Sequence, residues 1–197
     1  IENDTDDVLS WFPDMAVVPL TLHDSSENAE REDTYYALPD KLNFSMLFYR
    51  KDILSQLDLD IPETWEDVLA MIPVLQYNHK EIGIQNDIYT FVYQSNNEAY
   101  KNGGMQINFD NTGVLNAFTS LCNMYTQYSL PTVFDFANRF RTGEMPIAIA
   151  DYTSCNQLTL FASELSGLWG FTVLPGYEHE RADGTKYINN SAIATVT

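Results

Sequence analysis

The feature that most constrains this chain is the run MPIAIA at residues 145–150, which is apolar at every position. An unbroken apolar run of this length is typical of a strand that is buried on both faces. We therefore expect it to lie in the interior of a sheet. The run ends at an acid beside an aromatic ring, Asp151 and Tyr152, which either faces a ligand, caps the next helix, or does both.

Other segments alternate between strand-like and helix-like patterns. Thr64 is a good helix N-cap with acids in the first turn, although Asp67 stands where a capping box has Glu or Gln. Pro73 should kink or end that helix. We expect strands at 45–49, 82–84, 168–174 and 187–196, a loop at 40–44 and a hairpin-like excursion at 177–186. We expect the remaining helices at 89–100, 112–129, 135–142 and 152–164. This alternation indicates an α/β fold.

The apolar periodicity also predicts which helix faces are buried. In the helix after Thr64 the expected stripe is Trp65, Val68, Leu69, Ile72 and Leu75. In the helix that starts at Thr112 it is Leu115, Phe118, Leu121, Cys122 and Tyr125.

Charge excludes two classes of partner. Ten basic residues against 28 acidic ones give a formal net charge of −18 in 197 residues. A nucleic-acid-binding protein needs a field of Lys and Arg, and so does a protein that binds an anionic membrane surface. The balance instead suits a soluble, secreted or surface-exposed protein.

Signals for catalysis and metal binding are weak. The three histidines, His23, His79 and His179, all fall in polar segments that read as loops, and no Gly-x-Ser-x-Gly elbow is present. Carboxylate pairs for a glycosidase arise by chance among so many acids. Cys122 and Cys155 lack zinc-site spacing and are either a disulfide or two buried thiols. We expect no enzyme activity, no cofactor and no metal.

Aromatic, amide and acid side chains instead gather at the ends of predicted strands, where open α/β sheets bind ligands. The set is Asn43, Phe44, residues 86–89, Asp151, Tyr152 and Trp169. Aromatic faces with hydrogen-bonding neighbours suit a sugar or a similar polar solute. For any single member the alternative is core filler or a helix cap.

Four segments in order resemble the family 1 extracellular solute-binding proteins of bacterial ABC importers, the maltose-binding-protein-like group. They are YALPDKLNFSMLFYRKDIL at 36–54, LDIPETWEDVL at 59–69, FRTGEMPIAIADY at 140–152 and WGFTVLPG at 169–176. The resemblance implies a type II periplasmic-binding-protein-like α/β lobe, with an open mixed sheet flanked by helices. It also implies a two-lobed parent protein with the ligand cleft between its lobes.

On this resemblance the chain is a fragment that covers mainly the second lobe. Residues 1–45 would be a remnant of the first lobe with the first hinge crossing, 46–186 the second lobe, and 187–197 the return crossing. The chain begins like the middle of a longer protein. The strands that open the first lobe and the closing helices after Thr197 would be missing.

The resemblance also implies ligand contacts at three loops. They are Asn43 and Phe44 at the first crossing, Asn86 and Tyr89 after the next strand, and Asp151, Tyr152 and Thr153 after the central strand. Sugar-binding members often have Trp at the third loop, where this chain has Tyr152. Trp169 is expected in the core.

The implied function is capture of a small polar solute, with a sugar or oligosaccharide expected, for delivery to ABC permease subunits. The implied protein is a monomer outside the cell, anchored as a lipoprotein on a bacterial surface or periplasmic. The alternative is a solute-sensing or interaction module of a larger cell-surface protein with no transport role.

Overall fold

A computed structural model describes residues 10–17, 20–22, 34–35, 37–84, 87–102 and 105–196. The chain divides into two compact units, one made of Ile1–Phe44 with Ala194–Thr197, the other of Ser45–Ile193. The assignment of these parts to two lobes remains a prediction.

In the first unit, helix α1 (Asp14–Val17) precedes an antiparallel pair of short strands, β1 (Thr21–Leu22) and β2 (Thr34–Tyr35). Strand β11 (Ala194–Val196) pairs antiparallel with Leu42–Phe44, the start of β3 (Leu42–Arg50). The predicted loop at 40–44 is therefore wrong for its last three residues, because β11 supplies them with a ladder partner.

The second unit contains the rest of β3 and fourteen further described elements. Its helices are α2 (Lys51–Gln56), α3 (Trp65–Tyr77), α4 (Ile88–Gln94), α5 (Thr112–Thr126), α6 (Phe136–Thr142), α7 (Ser154–Phe161) and a 3-10 turn at Ser163–Leu165. Its strands are β4 (Ile82–Gly83), β5 (Tyr100–Lys101), β6 (Gln106–Ile107), β7 (Ile147–Asp151), β8 (Trp169–Thr172), β9 (Tyr177–Glu180) and β10 (Lys186–Asn189). Of the two short hairpins, β9 and β10 form the predicted excursion, and β10 with β11 replaces the single strand expected at 187–196.

The mixed sheet of the second unit has the order β8–β3–β7–β4. Strands β7 and β8 flank β3, both antiparallel to it, and β4 is parallel to β7. Strand β7 is interior and nearly all buried, as its apolar run predicts. Strand β8 confirms the strand predicted within 168–174 but is only half-buried, since β3 is its one partner strand among the described residues.

Apolar side chains cover both faces of this sheet, because alternate residues of a strand point to opposite sides. Leu47, Ile147 and Ile149 join the cluster that contains buried side chains of α3, α4 and α5. Phe48 and Ala150 join a smaller cluster with α6 and α7, against which Trp169 packs as expected. The sheet is thus a middle layer between helices, which confirms the α/β prediction.

Helix α3 begins as predicted but continues past Pro73. The capping box is complete, because Thr64 Oγ1 accepts from the Asp67 amide at 3.1 Å and Asp67 Oδ2 accepts from the Thr64 amide at 2.9 Å. A shorter carboxylate therefore serves where Glu is usual. The expectation that the helix ends at Pro73 is wrong, because burial of Ile72 and Leu75 on either side holds the helix to Tyr77; the expected kink stays a prediction.

Two other helices depart from their predicted extent or face. Helix α4 ends at Gln94, well before residue 100. Helix α5 buries Val114, Ala117, Leu121 and Met124, whereas Leu115 and Phe118 are exposed. Helix α6 matches its prediction, with Asp135 as N-cap and Gly143 ending it in the left-handed region at φ 78°.

Replacing Asp67 with alanine is expected to lower the free energy of unfolding by about 1 kcal/mol, the usual worth of a helix cap. The hydrogen bond from the Thr64 hydroxyl holds the pKa of Asp67 below its ordinary value. The contribution is therefore complete above about pH 4 and is lost as the pH falls through the lowered pKa. Urea denaturation at pH 7 and pH 3 measures it, and a similar loss in Glu66→Ala would contradict a specific cap.

Candidate functional site

The carboxyl ends of three strands meet at one edge of the second unit's sheet. Strands β4, β7 and β8 all run antiparallel to β3. The same edge therefore also carries Ser45, the first residue of β3 that belongs to the second unit. There Ser45 lies directly opposite Asp151. Loops that follow parallel strands at such an edge are where open α/β sheets hold ligands.

A shallow depression lies at this edge. Its rim includes Ser45 and Asp87, which offer a hydroxyl and a carboxylate, and its lining also includes the buried Thr90. Its floor includes Trp65 and Phe91, stacked with ring centroids 4.4 Å apart. The volume of about 10 Å³ is too small to enclose a sugar, so a ligand would rest over the depression.

Asp87 organises the start of α4. Its carboxylate accepts hydrogen bonds from the Tyr89 amide at 3.0 Å and from Thr90 Oγ1 at 2.6 Å. This N-cap fixes the first turn of α4 and orders the Thr90 hydroxyl. Ser45 and Thr90 were missed by the sequence analysis, whereas Asp87 belongs to residues 86–89 of the strand-end set.

Aromatic side chains stand on both sides of the edge. After β7, Tyr152 is 42% exposed and meets Phe171 of β8 edge-on, with ring centroids 6.0 Å apart. After β4, Tyr89 stacks on Tyr100 at 6.1 Å, and their hydroxyls are 3.0 Å apart. The hydrogen bond with Tyr100 raises the pKa of Tyr89 above its ordinary value, so the Tyr89 phenol is neutral at pH 7.

The structure places four of the seven predicted ligand residues at this edge: Tyr89, Asp151, Tyr152 and Thr153. Asn43 and Phe44 lie in the part of β3 that belongs to the first unit, opposite Thr195 and Ala194. Within the described part of the chain, the buried Oδ1 of Asn43 has no hydrogen-bond partner. Asn86 lies outside the described residues. The assignment of all seven as ligand contacts remains a prediction.

The expected capping role of Asp151 is wrong. Thr153 is the N-cap residue of α7, and no side chain of the described residues caps its first turn. The Asp151 carboxylate is half-buried beside Ser45.

The described residues contain no group of three His, Cys, Asp or Glu side chains placed to hold a metal ion. Cys122 and Cys155 are free and half-buried, neither paired nor fully buried as expected. His79 lies in a loop, but His179 lies in β9 with Nε2 2.7 Å from the Gln94 carbonyl, and His23 falls outside the described residues.

A wider groove of about 1090 Å³ lies at the opposite end of the sheet, beside Tyr49 and Lys51. Four acids line it: Asp58, Asp60, Glu63 and Asp67. Its position near the carboxyl end of β3 separates it from the edge that carries Asp151 and Tyr152. None of the helices in the described ranges is long and apolar enough to cross a membrane.

Comparison with known proteins identifies the family. The family model for bacterial extracellular solute-binding proteins matches residues 6–187. The chain belongs to this family. The family is one of binding proteins, and its members act outside the cell or in the periplasm. A comparison with curated protein sequences finds no significant match.

Solved structures of the same fold include several sugar-bound proteins. Maltose-bound MalE3 of T. maritima has a TM-score of 0.73 at 18% identity, over 98% of this chain and 49% of that one. The GacH receptor of Streptomyces glaucescens, solved unliganded and with acarbose, has 0.69 at 13%, over 94% and 46%. A tagatose-bound solute-binding protein of Thermotoga lettingae TMO has 0.68 at 16%, over 81% and 43%.

These matches show the fold alone. They confirm the predicted type II periplasmic-binding-protein-like architecture. The chain spans less than half the length of each of these proteins.

Proposed function

We propose that this chain is part of the solute-binding component of an ABC importer and that its ligand is a small neutral polar solute, a sugar or oligosaccharide. The observation that carries the proposal is the edge where β4, β7 and β8 end, with aromatic rings on both sides of a hydroxyl- and carboxylate-rimmed depression. Rings supply apolar faces for a pyranose, and the rim supplies hydrogen bonds to its hydroxyl groups.

The chemistry of the rim favours a neutral ligand over an anionic one. The lining of the depression includes one carboxylate, from Asp87, and no Lys or Arg. Asp151 adds another acid at the same edge. An anionic solute would have to approach these acids in a chain of formal net charge −18 without a cation at the rim to offset them.

In this proposal Tyr89, Asp151, Tyr152 and Thr153 contact the ligand from the second unit, as does Asn86. Asn43 and Phe44 contact it from the first crossing. Ser45, Thr90 and Tyr100 are added on the basis of the site's geometry. The full-length protein would be a monomer, anchored as a lipoprotein or free in the periplasm, and would deliver its ligand to permease subunits by closing around it.

Calorimetry of the full-length protein against mono- and oligosaccharides tests the proposal. We expect at least one neutral sugar to bind with a Kd in the micromolar range or tighter. Silence across the panel, with tight binding of a peptide or a metal chelate, would overturn the sugar assignment. Silence toward every solute would favour the sensing or interaction module.

Tyr152→Ala is expected to weaken sugar binding by the full-length protein about fivefold, because an aromatic contact is worth roughly 1 kcal/mol. Tyr152→Phe should keep most of the affinity, since the ring face is retained. Tyr77→Ala, at an exposed tyrosine on α3, is the matched control. Equal sugar affinities of Tyr152→Ala and the wild type would show that Tyr152 does not contact the ligand.

A further inference from the structure

Gln94 is a buried polar side chain that the proposed ligand contacts do not use. It is the last residue of α4 and is 0% exposed. Its Oε1 accepts a hydrogen bond from Trp65 Nε1 at 2.6 Å. Its Nε2 donates to two backbone carbonyls, Pro175 O at 3.0 Å and Ser191 O at 3.1 Å. Both donors of the amide and its acceptor are thus satisfied inside the protein.

The three partners of Gln94 come from three distant segments of the chain. Trp65 forms the floor of the candidate site with Phe91. Pro175 lies in the turn that follows β8. Ser191 lies between β10 and β11, three residues before Ala194, where the chain returns to the first unit. One side chain therefore joins the site floor to the return crossing.

Neighbouring hydrogen bonds hold the same crossing to the end of α4. Asn189 Nδ2 donates to Tyr93 O at 3.0 Å and to Asn96 Oδ1 at 2.9 Å. Asn189 Oδ1 in turn accepts from Ser191 Oγ at 2.7 Å. No side chain of the described residues hydrogen-bonds to Ala192 or Ile193. These hydrogen bonds therefore end at Ser191, and Ala192 and Ile193 separate it from Ala194, where the first unit resumes.

From these contacts we infer that Gln94 is a positioning residue. It fixes the return crossing to Trp65 at the site floor, so that the backbone of the crossing bends only at Ala192 and Ile193. The inference rests on the proposed function, in which the protein closes around its ligand.

The physical reason is the cost of an unpaired buried amide. A bend at or before Ser191 would pull its carbonyl from Gln94 Nε2 and leave that N–H of the fully buried Gln94 amide without a partner. A bend after Ser191 breaks none of these bonds. Helix α4 itself is short and stiff, so Tyr89 at the ligand edge and Gln94 at the crossing move together, about 7 Å apart along the axis. A ligand that contacts Tyr89 would therefore act on the same helix that holds the return crossing through Gln94.

Gln94→Met in the full-length protein tests the inference, because methionine keeps the shape and removes all three hydrogen bonds. Spin labels at Asp40→Cys and Asn116→Cys, both exposed, report the distance between the units once Cys122 and Cys155 are replaced by serine. We expect the ligand-free distance distribution to broaden at least 1.5-fold. We also expect sugar dissociation to accelerate about tenfold with association nearly unchanged, since two hydrogen bonds to the backbone are lost, one of them buried.

Gln76→Met is the matched control. Gln76 Nε2 also donates to a backbone carbonyl, Tyr128 O at 2.7 Å, but that bond lies far along the chain from the crossing. It should change neither the distribution nor the dissociation rate. If Gln94→Met does not fold, Asn189→Ala removes the exposed tie and should broaden the distribution to a smaller extent.

The outcomes separate the two proposals. An unchanged distribution in both Gln94→Met and Asn189→Ala overturns the hinge inference, even if sugars bind. A broadened distribution in a protein that binds no sugar keeps the hinge inference and rejects the sugar assignment. Equal broadening in Gln76→Met would show a general loss of rigidity and would also overturn the inference.

Discussion

Trp65→Ala is expected to lower the free energy of unfolding by about 3–5 kcal/mol, the range for removing a large buried aromatic side chain. Trp65 is only 2% exposed and stacks on Phe91 with centroids 4.4 Å apart. Alanine would leave a cavity there and would also leave Gln94 Oε1 buried without its indole donor. Since proteins of this size are stable by roughly 5–15 kcal/mol, the variant should be near its folding limit at 37 °C.

Two companion variants separate the causes. Trp65→Phe keeps an aromatic ring against Phe91 but removes the indole N–H, so we expect an intermediate loss of about 2 kcal/mol. Tyr77→Ala, exposed on the same helix, should stay within about 0.5 kcal/mol of the wild type. Urea denaturation followed by circular dichroism measures all three. A loss under 1 kcal/mol in Trp65→Ala would contradict its place in the core.

The start of α3 shows what local chemistry can predict. The sequence predicted the Thr64 cap and the acids that follow it, and it predicted the burial of Trp65, Val68, Ile72 and Leu75. These features depend only on residues of one helix, because caps and apolar periodicity act within it. The predicted helix end at Pro73 was wrong for the opposite reason. Its local cost is outweighed by the burial of its neighbours, and that burial exists only in the folded unit.

Helix α5 shows where periodicity is ambiguous. Leu115 and Phe118 are larger side chains than Val114 and Ala117, so the periodicity predicted that the buried face contains the larger pair. The structure buries the smaller pair. Small side chains let α5 pack closely on α4, a choice that depends on the neighbouring helix and not on the helix's own pattern.

The sequence likewise predicted only part of the candidate site. Tyr152 and Asp151 were predictable because they follow an apolar strand, and strand ends are where such sheets expose side chains. Ser45, Thr90 and Tyr100 are ordinary residues within a strand, a helix and a hairpin. They join the site only through the pairing of β3 with β7 and the stacking of Tyr89 on Tyr100. Gln94 carried no signal at all, since a glutamine at a helix end is normally exposed.

Arg50→Met is the second variant for which we expect a large effect, a loss of about 2–4 kcal/mol in the free energy of unfolding. The Arg50 side chain is 9% exposed. Its guanidinium donates to both oxygens of Asp52, at 2.9 and 2.7 Å, and to the carbonyls of Phe140 and Arg141 at the end of α6, at 3.0 and 3.2 Å. Methionine fills the space but leaves those two helix-terminal carbonyls without their donor. The estimate is below the full cost of breaking a buried pair because the Asp52 side chain is 34% exposed and water can replace part of the interaction.

The pH dependence distinguishes the loss of the ion pair from a general loss of packing. The hydrogen bond from Arg50 is the main reason that the pKa of Asp52 lies below its ordinary value. A lowered pKa means that the pair contributes fully above about pH 4 and that its contribution disappears as the pH falls through the lowered value. The difference in unfolding free energy between the wild type and Arg50→Met should therefore become smaller in acid.

Arg141→Met is the control. Arg141 and Glu164 pair at the surface with side chains 56% and 49% exposed, so their ion pair should contribute little to stability. Equal losses in the two variants, or a gap that does not change between pH 7 and pH 3, would contradict the role assigned to Arg50.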